Sequence, residues 1–133
     1  MNKVRVELAE NSYEIRIGSG ILPMAGSWLK EAGYSRKAVI ITDSNVFGLY
    51  AVPLQKSLSE AGFDVTTINI PAGEEQKTLE TAGLLYDRLS ASFAERSTPI
   101  LALGGGVVGD LAGFVAATYL RGVPYIQVPT SLL

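Results

Sequence analysis

The chain has 133 residues, of which 47% are hydrophobic and 18% charged, and its net charge at pH 7 is −2. This length predicts one domain with a buried core, and the weak negative charge excludes the basic surface typical of nucleic-acid partners. The lack of cysteine and histidine excludes disulfides, thiolate catalysis and the commonest general base. Neither a membrane span nor a signal peptide is evident, so we expect no membrane partner and a cytoplasmic location.

The first third of the chain predicts a hairpin followed by a helix. Residues 4–8 and 13–17 alternate apolar and polar side chains across a polar turn, which is typical of two antiparallel strands. Residues 22–32 have a helical pattern, and Gly33 fits its C-terminal stop.

A compact apolar strand follows at residues 38–42, and the polar loop Asp43-Ser44-Asn45 leaves it. Residues 46–50 are compatible with a helix start, but Pro53 fits the beginning of a helix better than its interior. That helix is expected to end at Gly62.

The next strand is predicted at residues 65–70, and the turn Pro71-Ala72-Gly73 directs the chain into another helix. Its apolar positions are Ala82, Leu85, Leu89 and Phe93. Residues 100–103 form a third apolar strand, and three glycines separate this strand from apolar residues at helical spacing. These are Val108, Leu111, Ala112, Val115, Ala116 and Tyr119. A last strand is predicted at residues 125–128.

This alternation of strands and helices predicts an α/β fold. We expect a Rossmann-like, mostly parallel sheet flanked by helices, with an N-terminal antiparallel hairpin. Ligands of such sheets bind beyond the carboxyl ends of the strands. Three loops meet that condition, at residues 43–45, 73–77 and 104–110.

The glycine-rich loop resembles two phosphate-binding motifs, and neither is complete. Gly104, Gly105 and Gly109 have the outer spacing of a P-loop, but Asp110 occupies the position of its lysine and would repel a triphosphate. Gly104, Gly106 and Gly109 also satisfy the dinucleotide fingerprint, whose ribose-binding acid is absent downstream. A tight turn that only permits close packing is the alternative.

Upstream carboxylates are candidates for the missing ribose ligand. Asp43 and Glu74 each follow a predicted strand, and a carboxylate there favours NAD over NADP because it repels a 2′-phosphate. Lys77 follows Glu74 by three residues and is a candidate phosphate or ribose ligand. The alternatives are a capping role for Asp43 and a solvated surface pair for Glu74 and Lys77.

Asp110 and Arg121 are the only charged residues between positions 101 and 133. Asp110 is expected in the first turn of the glycine-loop helix, where the helix dipole favours a negative side chain. Arg121 is expected at the C-terminal end of that helix. It either neutralises the helix end or binds a phosphate or carboxylate through its planar guanidinium.

The segment LGGGVVGDLAGFVAATYLRGVPYIQVPTSLL at residues 103–133 closely resembles the 3-dehydroquinate synthase family of sugar-phosphate cyclases. The resemblance extends to the GEEQK segment at residues 73–77 and to Asp43-Ser44-Asn45. It therefore covers nearly all of the chain, and it is more specific than any glycine motif.

The resemblance implies a tightly bound NAD and a seven-carbon keto-acid phosphate, 3-deoxy-arabino-heptulosonate 7-phosphate, as the substrate. The family converts it to 3-dehydroquinate and phosphate by transient oxidation, phosphate elimination, reduction and aldol cyclisation, in the shikimate pathway. The resemblance also implies that Arg121 contacts the substrate phosphate and that the full-length protein is a homodimer. The implied NAD contacts are Asp43, Asn45, Gly73, Glu74, Lys77, Gly105, Gly106, Val107, Val108, Gly109, Asp110, Thr130 and Ser131.

The family also uses a divalent metal, zinc or cobalt, in a C-terminal domain. This chain has no histidine for such a site, so we expect no metal ligand here and interpret residues 1–133 as an N-terminal NAD-binding domain without turnover of its own. The alternatives are a 2-deoxy-scyllo-inosose synthase, a metal-dependent polyol dehydrogenase, or a nucleotide-binding module that is not an enzyme.

Overall fold

The computed structural model describes residues 1–131, which form two sheets. The smaller is an antiparallel hairpin of β1 (Asn2–Val6) and β2 (Tyr13–Ile17). The predicted hairpin is therefore confirmed, but β1 begins two residues before the predicted strand. Leu8 lies outside it because the chain already turns there, and its backbone N–H donates to Ser12 Oγ.

The larger sheet contains β3 (Lys37–Asp43), β4 (Asp64–Ile70), β5 (Ile100–Gly104) and β6 (Tyr125–Pro129). Its strand order is β4-β3-β5-β6, and every neighbouring pair is parallel. The predicted α/β, Rossmann-like architecture is confirmed. The carboxyl ends of β3, β4 and β5 lie side by side, which brings the three candidate loops to one edge of the sheet.

Among the residues that the structure describes, five α-helices accompany this sheet. They are α1 (Ala25–Glu31), α2 (Ser44–Val46), α3 (Val52–Glu60), α4 (Leu79–Ala91) and α5 (Gly106–Thr118). A π-helical segment, Phe47–Ala51, joins α2 to α3, so the chain is continuously helical from Ser44 to Glu60. Pro53 is the second residue of α3 and directly follows the π-helical segment, so it lies inside a continuous helical stretch to whose preceding turn it cannot donate a backbone hydrogen bond.

The helices cover both faces of the sheet. Leu54 and Leu58 of α3 pack with Ile40 and Leu101 on one face, together with α1. The other face carries α4 and α5, and the buried side chains of that cluster include Ile41, Leu85, Leu89, Val108, Leu111 and Val115. Alternate residues of each buried strand therefore enter opposite cores, as expected for a parallel sheet covered on both sides.

Two apolar residues that were predicted inside helices lie beyond the helix ends. Phe93 follows the end of α4 with φ 60° and is 77% exposed. Its backbone takes the left-handed conformation because the chain reverses there toward β5, and Lys37 Nζ donates to the Ser92 and Phe93 carbonyls. Tyr119 lies in a 3-10 turn after α5 but still stacks on Tyr86.

Candidate functional site

The glycine turn at residues 104–110 presents an uncapped helix terminus at the carboxyl end of β5. Gly105 occupies the N-cap position of α5, and no side chain among residues 1–131 caps this end. The first helical bond runs from Gly109 N–H to Gly105 C=O at 3.0 Å. The earlier N–H groups of the 13-residue helix therefore point past the sheet, where its positive dipole end favours an anion.

Close packing explains two of the glycines in this turn. A Cβ on Gly104 would lie 2.9 Å from the Val108 side chain, and one on Gly105 would lie 2.9 Å from Ser131 Oγ. Thr130 N–H also donates to the Gly104 carbonyl at 3.1 Å. The structure thus brings Thr130 and Ser131, two predicted site residues, against the glycine turn.

Lys77 and Asp110 connect the second predicted loop to the glycine turn. Lys77 Nζ lies 2.8 Å from Asp110 Oδ2, and both side chains remain largely exposed. The hydrogen bond and charge of Asp110, followed by the charge of Glu74, raise the pKa of Lys77 above its ordinary value. The alternative interpretation of Lys77 was a solvated surface pair with Glu74. The structure instead pairs Lys77 with Asp110, a residue on another loop.

The sequence predicted Asp110 in the first turn of α5, and the structure shows that this prediction is wrong. The helix begins within the glycine turn at Gly106, so Asp110 falls in the second turn. The contact that it makes instead is the ion pair with Lys77.

Asp43 serves as the N-cap of α2. Its Oδ1 accepts hydrogen bonds from Asn45 N–H at 2.9 Å and Val46 N–H at 3.0 Å, which confirms the capping interpretation. Both bonds use the same oxygen. Ser44 Oγ accepts a bond from Ala72 N–H at 3.0 Å, which joins this loop to the one after β4.

Gly73 begins the loop that carries Glu74 and Lys77. Its φ of 126° lies in the region that favours glycine, and a Cβ there would meet the Glu75 carboxylate. Glu74 is exposed in a 3-10 turn, Glu74–Gln76, and α4 begins only at Leu79. Glu74 and Lys77 thus precede the α-helix and do not share its first turn.

A cleft of about 260 Å³ runs from the glycine turn between α5 and β6. Sequence reasoning missed the residues of its far wall, which are Gly113, Phe114, Tyr125, Gln127 and Pro129. Tyr125 Oη donates to the Gly109 carbonyl at 2.7 Å, and a Cβ on Gly113 would lie 3.4 Å from the tyrosine ring. Glycines four residues apart on α5 were the signal that a large side chain packs there.

Tyr125 is partly buried beside this cleft. Burial is the main cause that raises the pKa of its hydroxyl, and the negative charge of Asp110 adds to it. The hydroxyl therefore stays protonated at neutral pH and acts as a hydrogen-bond donor.

Arg121 lies away from the three loops. It ends the 3-10 turn Tyr119–Arg121 after α5 and has a left-handed backbone with φ 67°. Helix α5 rises about 1.5 Å per residue, so its 13 residues place Arg121 roughly 20 Å from the glycine turn, at the amino edge of the sheet. Within one copy of the chain, Arg121 and the glycine turn do not form one site.

The described part of the chain holds no group of three or more His, Cys, Asp or Glu side chains placed to bind a metal ion. Among residues 1–131, no helix is long and apolar enough to cross a membrane. The uncapped terminus of α5 and the exposed polar side chains of the neighbouring loops are suited to an anionic ligand with hydroxyl groups.

Sequence comparison finds similarity to 3-dehydroquinate synthases. Residues 67–133 match the family model described as 3-dehydroquinate synthase N-terminal. The 3-dehydroquinate synthase of Desulforamulus reducens is 51% identical over 133 residues, which are all of this chain and 37% of that protein. The chain thus spans well under half the length of the curated relatives it matches.

Solved structures of two other cyclases share the fold. A 2-deoxy-scyllo-inosose synthase complexed with carbaglucose-6-phosphate, NAD+ and Co2+ superposes with a TM-score of 0.88 at 28% identity, over 98% of this chain and 35% of that one. The 2-epi-5-epi-valiolone synthase of Streptomyces hygroscopicus subsp. jinggangensis 5008, with NAD+ and Zn2+ bound, gives 0.77 at 32% identity, over 95% and 34%.

Proposed function

Because the chain belongs to the 3-dehydroquinate synthase family, we propose that residues 1–133 are the NAD-binding domain of such an enzyme. The observation that carries the proposal is the convergence of three loops at one sheet edge, where Lys77 Nζ and Asp110 Oδ2 lie 2.8 Å apart. The glycine turn supplies N–H donors, and the flanking loops supply carboxylates and a cation. This set matches the pyrophosphate and ribose groups of a dinucleotide.

The pyrophosphate is assigned to the N-terminus of α5. Gly105 and Gly106 have no side chain to keep a phosphate from the backbone, and the free N–H groups include those of Val107 and Val108. Ser131 lies against Gly105 and offers a hydroxyl at the same place. Thr130 precedes it and completes this part of the proposed contact set.

The ribose hydroxyls are assigned to the loops after β3 and β4. Asp43 uses Oδ1 for capping, so Oδ2 is the oxygen that we assign to a ribose hydroxyl, with Asn45 beside it. Glu74 is exposed in the adjacent loop. Two carboxylates at this edge disfavour the additional phosphate of NADP, which supports NAD as the cofactor.

Lys77 and Asp110 are assigned to the second ribose. The raised pKa of Lys77 keeps its ammonium group protonated as a donor, while the Asp110 carboxylate accepts hydrogen bonds. Because both side chains are largely exposed, a ribose hydroxyl can bridge them without removing either charge from water. The cleft beside Tyr125 continues from this point along α5.

When bound, NAD supplies a reversible hydride acceptor, and the residues described here bind and orient it. The lyase reaction on a sugar phosphate, the divalent metal and the remaining catalytic groups are proposed for the longer protein, since the chain spans 37% of the relative. Arg121 is exposed and remote from the glycine turn, so its proposed contact with a substrate phosphate is to the site of a neighbouring subunit in a homodimer.

A 2-deoxy-scyllo-inosose synthase activity is the second candidate. The 51% identity to a 3-dehydroquinate synthase, against 28% to the solved 2-deoxy-scyllo-inosose synthase, favours the first. A polyol dehydrogenase would accumulate reduced cofactor, and a simple nucleotide-binding module would bind AMP as tightly as NAD. These outcomes separate the candidates.

Isothermal titration of the 133-residue chain with NAD+, NADP+ and AMP tests the proposal. We expect NAD+ to bind more tightly than the other two, and weaker binding than in a full-length relative. Equal affinity for NAD+ and AMP would contradict an NAD-binding domain. We also expect no phosphate release from the seven-carbon substrate by the chain with NAD+ and zinc, because the described residues hold no metal site.

A further inference from the structure

The turn after α5 holds two consecutive residues in a backbone conformation that side chains disfavour. Leu120 has φ 49° and ψ 31°, and Arg121 has φ 67°. Left-handed backbone is uncommon outside glycine, and a bulky residue in it is an outlier. Gly122 follows at φ 118°, where glycine is at no disadvantage. Such strain persists only where the surrounding structure fixes it, and it is concentrated at functional sites.

Burial does not explain the strain in this turn. Leu120 is 44% exposed and Arg121 is exposed, so the core pulls neither side chain into the left-handed conformation. Within residues 1–131, Arg121 also makes no ion pair. The strained turn therefore presents a cation to solvent at the amino edge of the sheet. A guanidinium in this setting is suited to an anion from outside the chain.

Tyr119 anchors this turn to α4. Its ring stacks on that of Tyr86, with the centroids 6.3 Å apart and an angle of 14° between the planes. Its hydroxyl donates to the Ala94 carbonyl at 3.4 Å, shortly after the end of α4. Both tyrosines are half-buried against the core cluster of α4 and α5. The residue that directly precedes the strained pair is thus held at its ring and at its hydroxyl.

Hydrogen bonds on either side of Tyr119 complete the anchor. Thr118 Oγ1 donates its one hydrogen to the Phe114 carbonyl at 2.8 Å, so it accepts a hydrogen bond from the Tyr86 hydroxyl. On the other side, Gly122 N–H donates to the Tyr119 carbonyl at 2.8 Å. The chain is therefore fixed both before and after the strained pair.

We propose that Tyr119 is a positioning residue, which holds the Arg121 guanidinium in the orientation that binds the substrate phosphate. The inference rests on the proposed function, in which Arg121 contacts that phosphate. Tyr119 acts only through Arg121, because its own ring and hydroxyl are turned toward Tyr86 and Ala94. An arginine on a fixed turn loses less conformational entropy on binding an anion than one on a mobile turn. Loss of the anchor should therefore weaken substrate binding and leave NAD+ binding, roughly 20 Å away, unchanged.

The first test follows the turn itself in the 133-residue chain. Tyr119→Leu removes the stacked ring, so we expect the backbone N–H order parameters of Leu120 and Arg121, from NMR relaxation, to fall from about 0.85 to below about 0.6. Tyr119→Phe keeps the ring and should keep the order parameters. Tyr34→Leu is the matched control, because Tyr34 is also half-buried but packs on the opposite face of the sheet.

The second test measures substrate binding in the longer enzyme. We expect Arg121→Ala to raise the KM for the substrate about tenfold or more, and Tyr119→Leu to raise it at least about fivefold. In Tyr119→Leu, kcat should change less and the dissociation constant of NAD+ should not change, whereas general destabilisation would weaken NAD+ binding too. Tyr119→Phe should have a KM near the original. Tyr119→Leu should raise KM no further when it is added to Arg121→Ala, because no guanidinium is left to position.

Circular dichroism checks that every variant is folded. If Tyr119→Leu does not fold, Tyr86→Leu removes the stacking from the other ring and should give the same results. Unchanged order parameters in the folded variant, or losses that add in the double variant, would overturn the inference.

Two kinetic outcomes separate this inference from the function on which it rests. An unchanged KM in Tyr119→Leu beside a raised KM in Arg121→Ala overturns the positioning role and leaves the phosphate contact of Arg121 intact. An unchanged KM in Arg121→Ala contradicts that contact itself, and the positioning role with it.

Discussion

Lys77 on the loop after β4 contacts Asp110 on α5, with Nζ and Oδ2 2.8 Å apart, although β3 separates β4 from β5 in the sheet. The contact therefore spans the carboxyl end of the central strand. Lys77 and Asp110 therefore lie on either side of the place where Asp43 ends β3. This contact joins two of the three loops that the parallel strands bring to one edge of the sheet.

The first prediction concerns the protonation of Lys77. Its pKa in the folded chain is raised above 10.5, chiefly by Asp110, so the contact is fully present below pH 10.5 and is lost as the pH rises through the folded pKa. We expect Asp110→Asn to lower the pKa of Lys77, as measured by NMR titration of its side-chain ε-methylene signals.

Asp64→Asn is the control for that titration, because Asp64 begins β4 at the opposite edge of the sheet. It should leave the Lys77 titration unchanged. If Asp110→Asn has no effect either, Asp110 is not the cause of the raised pKa and the two loops are not joined in solution.

The second prediction tests the close approach at Gly105. Gly105→Ala adds a methyl group 2.9 Å from Ser131 Oγ, at the point where the proposed pyrophosphate meets the backbone. We expect NAD+ affinity to fall by at least about tenfold in calorimetry, since a phosphate and the methyl group cannot both occupy that space. Thermal unfolding should change little, because the Gly105 φ of −86° is open to alanine and the Ser131 hydroxyl that the methyl group meets is the end of a side chain that can rotate away.

Gly48→Ala is the matched control, since a Cβ there meets nothing within 4 Å. Unchanged affinity in this variant, with the loss in Gly105→Ala, would assign the effect to the glycine turn. Equal affinities in both would contradict pyrophosphate binding at Gly105.

The fold was predictable where local patterns agree with the tertiary structure. The buried strands, the glycine turn and the parallel order follow from apolar runs separated by helical patterns. The ends of helices were not predictable where contacts between distant residues decide them. The sequence does not reveal that α4 ends before Phe93, because the Lys37 contact with the Ser92 and Phe93 carbonyls joins residues that are distant in the chain.

The site was predictable to the same degree. Asp43, Lys77, Asp110 and the glycine turn meet at one edge because parallel strands end together. The partner of Lys77 was not predictable, since Asp110 was expected to interact with the helix end. Tyr125 was also missed, because its contact with Gly109 depends on the packing of β6 against α5.

The third prediction concerns this Tyr125 contact. Tyr125→Phe removes the 2.7 Å hydrogen bond to the Gly109 carbonyl but keeps the ring against Gly113. We expect the free energy of unfolding to fall by about 0.5 to 1.5 kcal/mol in urea denaturation. Tyr50→Phe, at a tyrosine that is 43% exposed, should stay within about 0.5 kcal/mol of the original chain.

The Tyr125 hydroxyl also predicts a pH dependence. Because the folded state raises its pKa above 10.0, the neutral hydroxyl stabilises the fold below pH 10.0, and this contribution is lost as the pH rises through the folded pKa. The difference in stability between the original chain and Tyr125→Phe should therefore shrink in alkaline solution. A constant difference from pH 7 to pH 11 would contradict the assignment.

The fourth prediction compares two glycines of the helical layers. A Cβ on Gly26 would lie 2.2 Å from the Ser57 carbonyl oxygen, so Gly26→Ala must push α1 away from α3. We expect a loss of about 1 to 3 kcal/mol of unfolding free energy. Gly83→Ala, inside α4 with open space around it, should instead stabilise by about 0.5 to 1 kcal/mol. Equal effects would show that helix propensity outweighs the contact between helices.

The fifth prediction separates the two roles of Asp43. Asp43→Asn keeps an oxygen that can cap α2 and removes the charge, whereas Asp43→Ala removes both. We expect Asp43→Ala to lose about 0.5 to 2 kcal/mol of stability and Asp43→Asn to lose much less.

If Asp43 also binds a ribose hydroxyl, Asp43→Asn should weaken NAD+ binding. It should also reduce the ratio of NAD+ affinity to NADP+ affinity, because the repulsion of the 2′-phosphate is gone. Calorimetry with both nucleotides measures this ratio. An Asp43→Asn chain with the original NAD+ to NADP+ ratio would restrict Asp43 to capping and leave Glu74 as the acid that selects the cofactor.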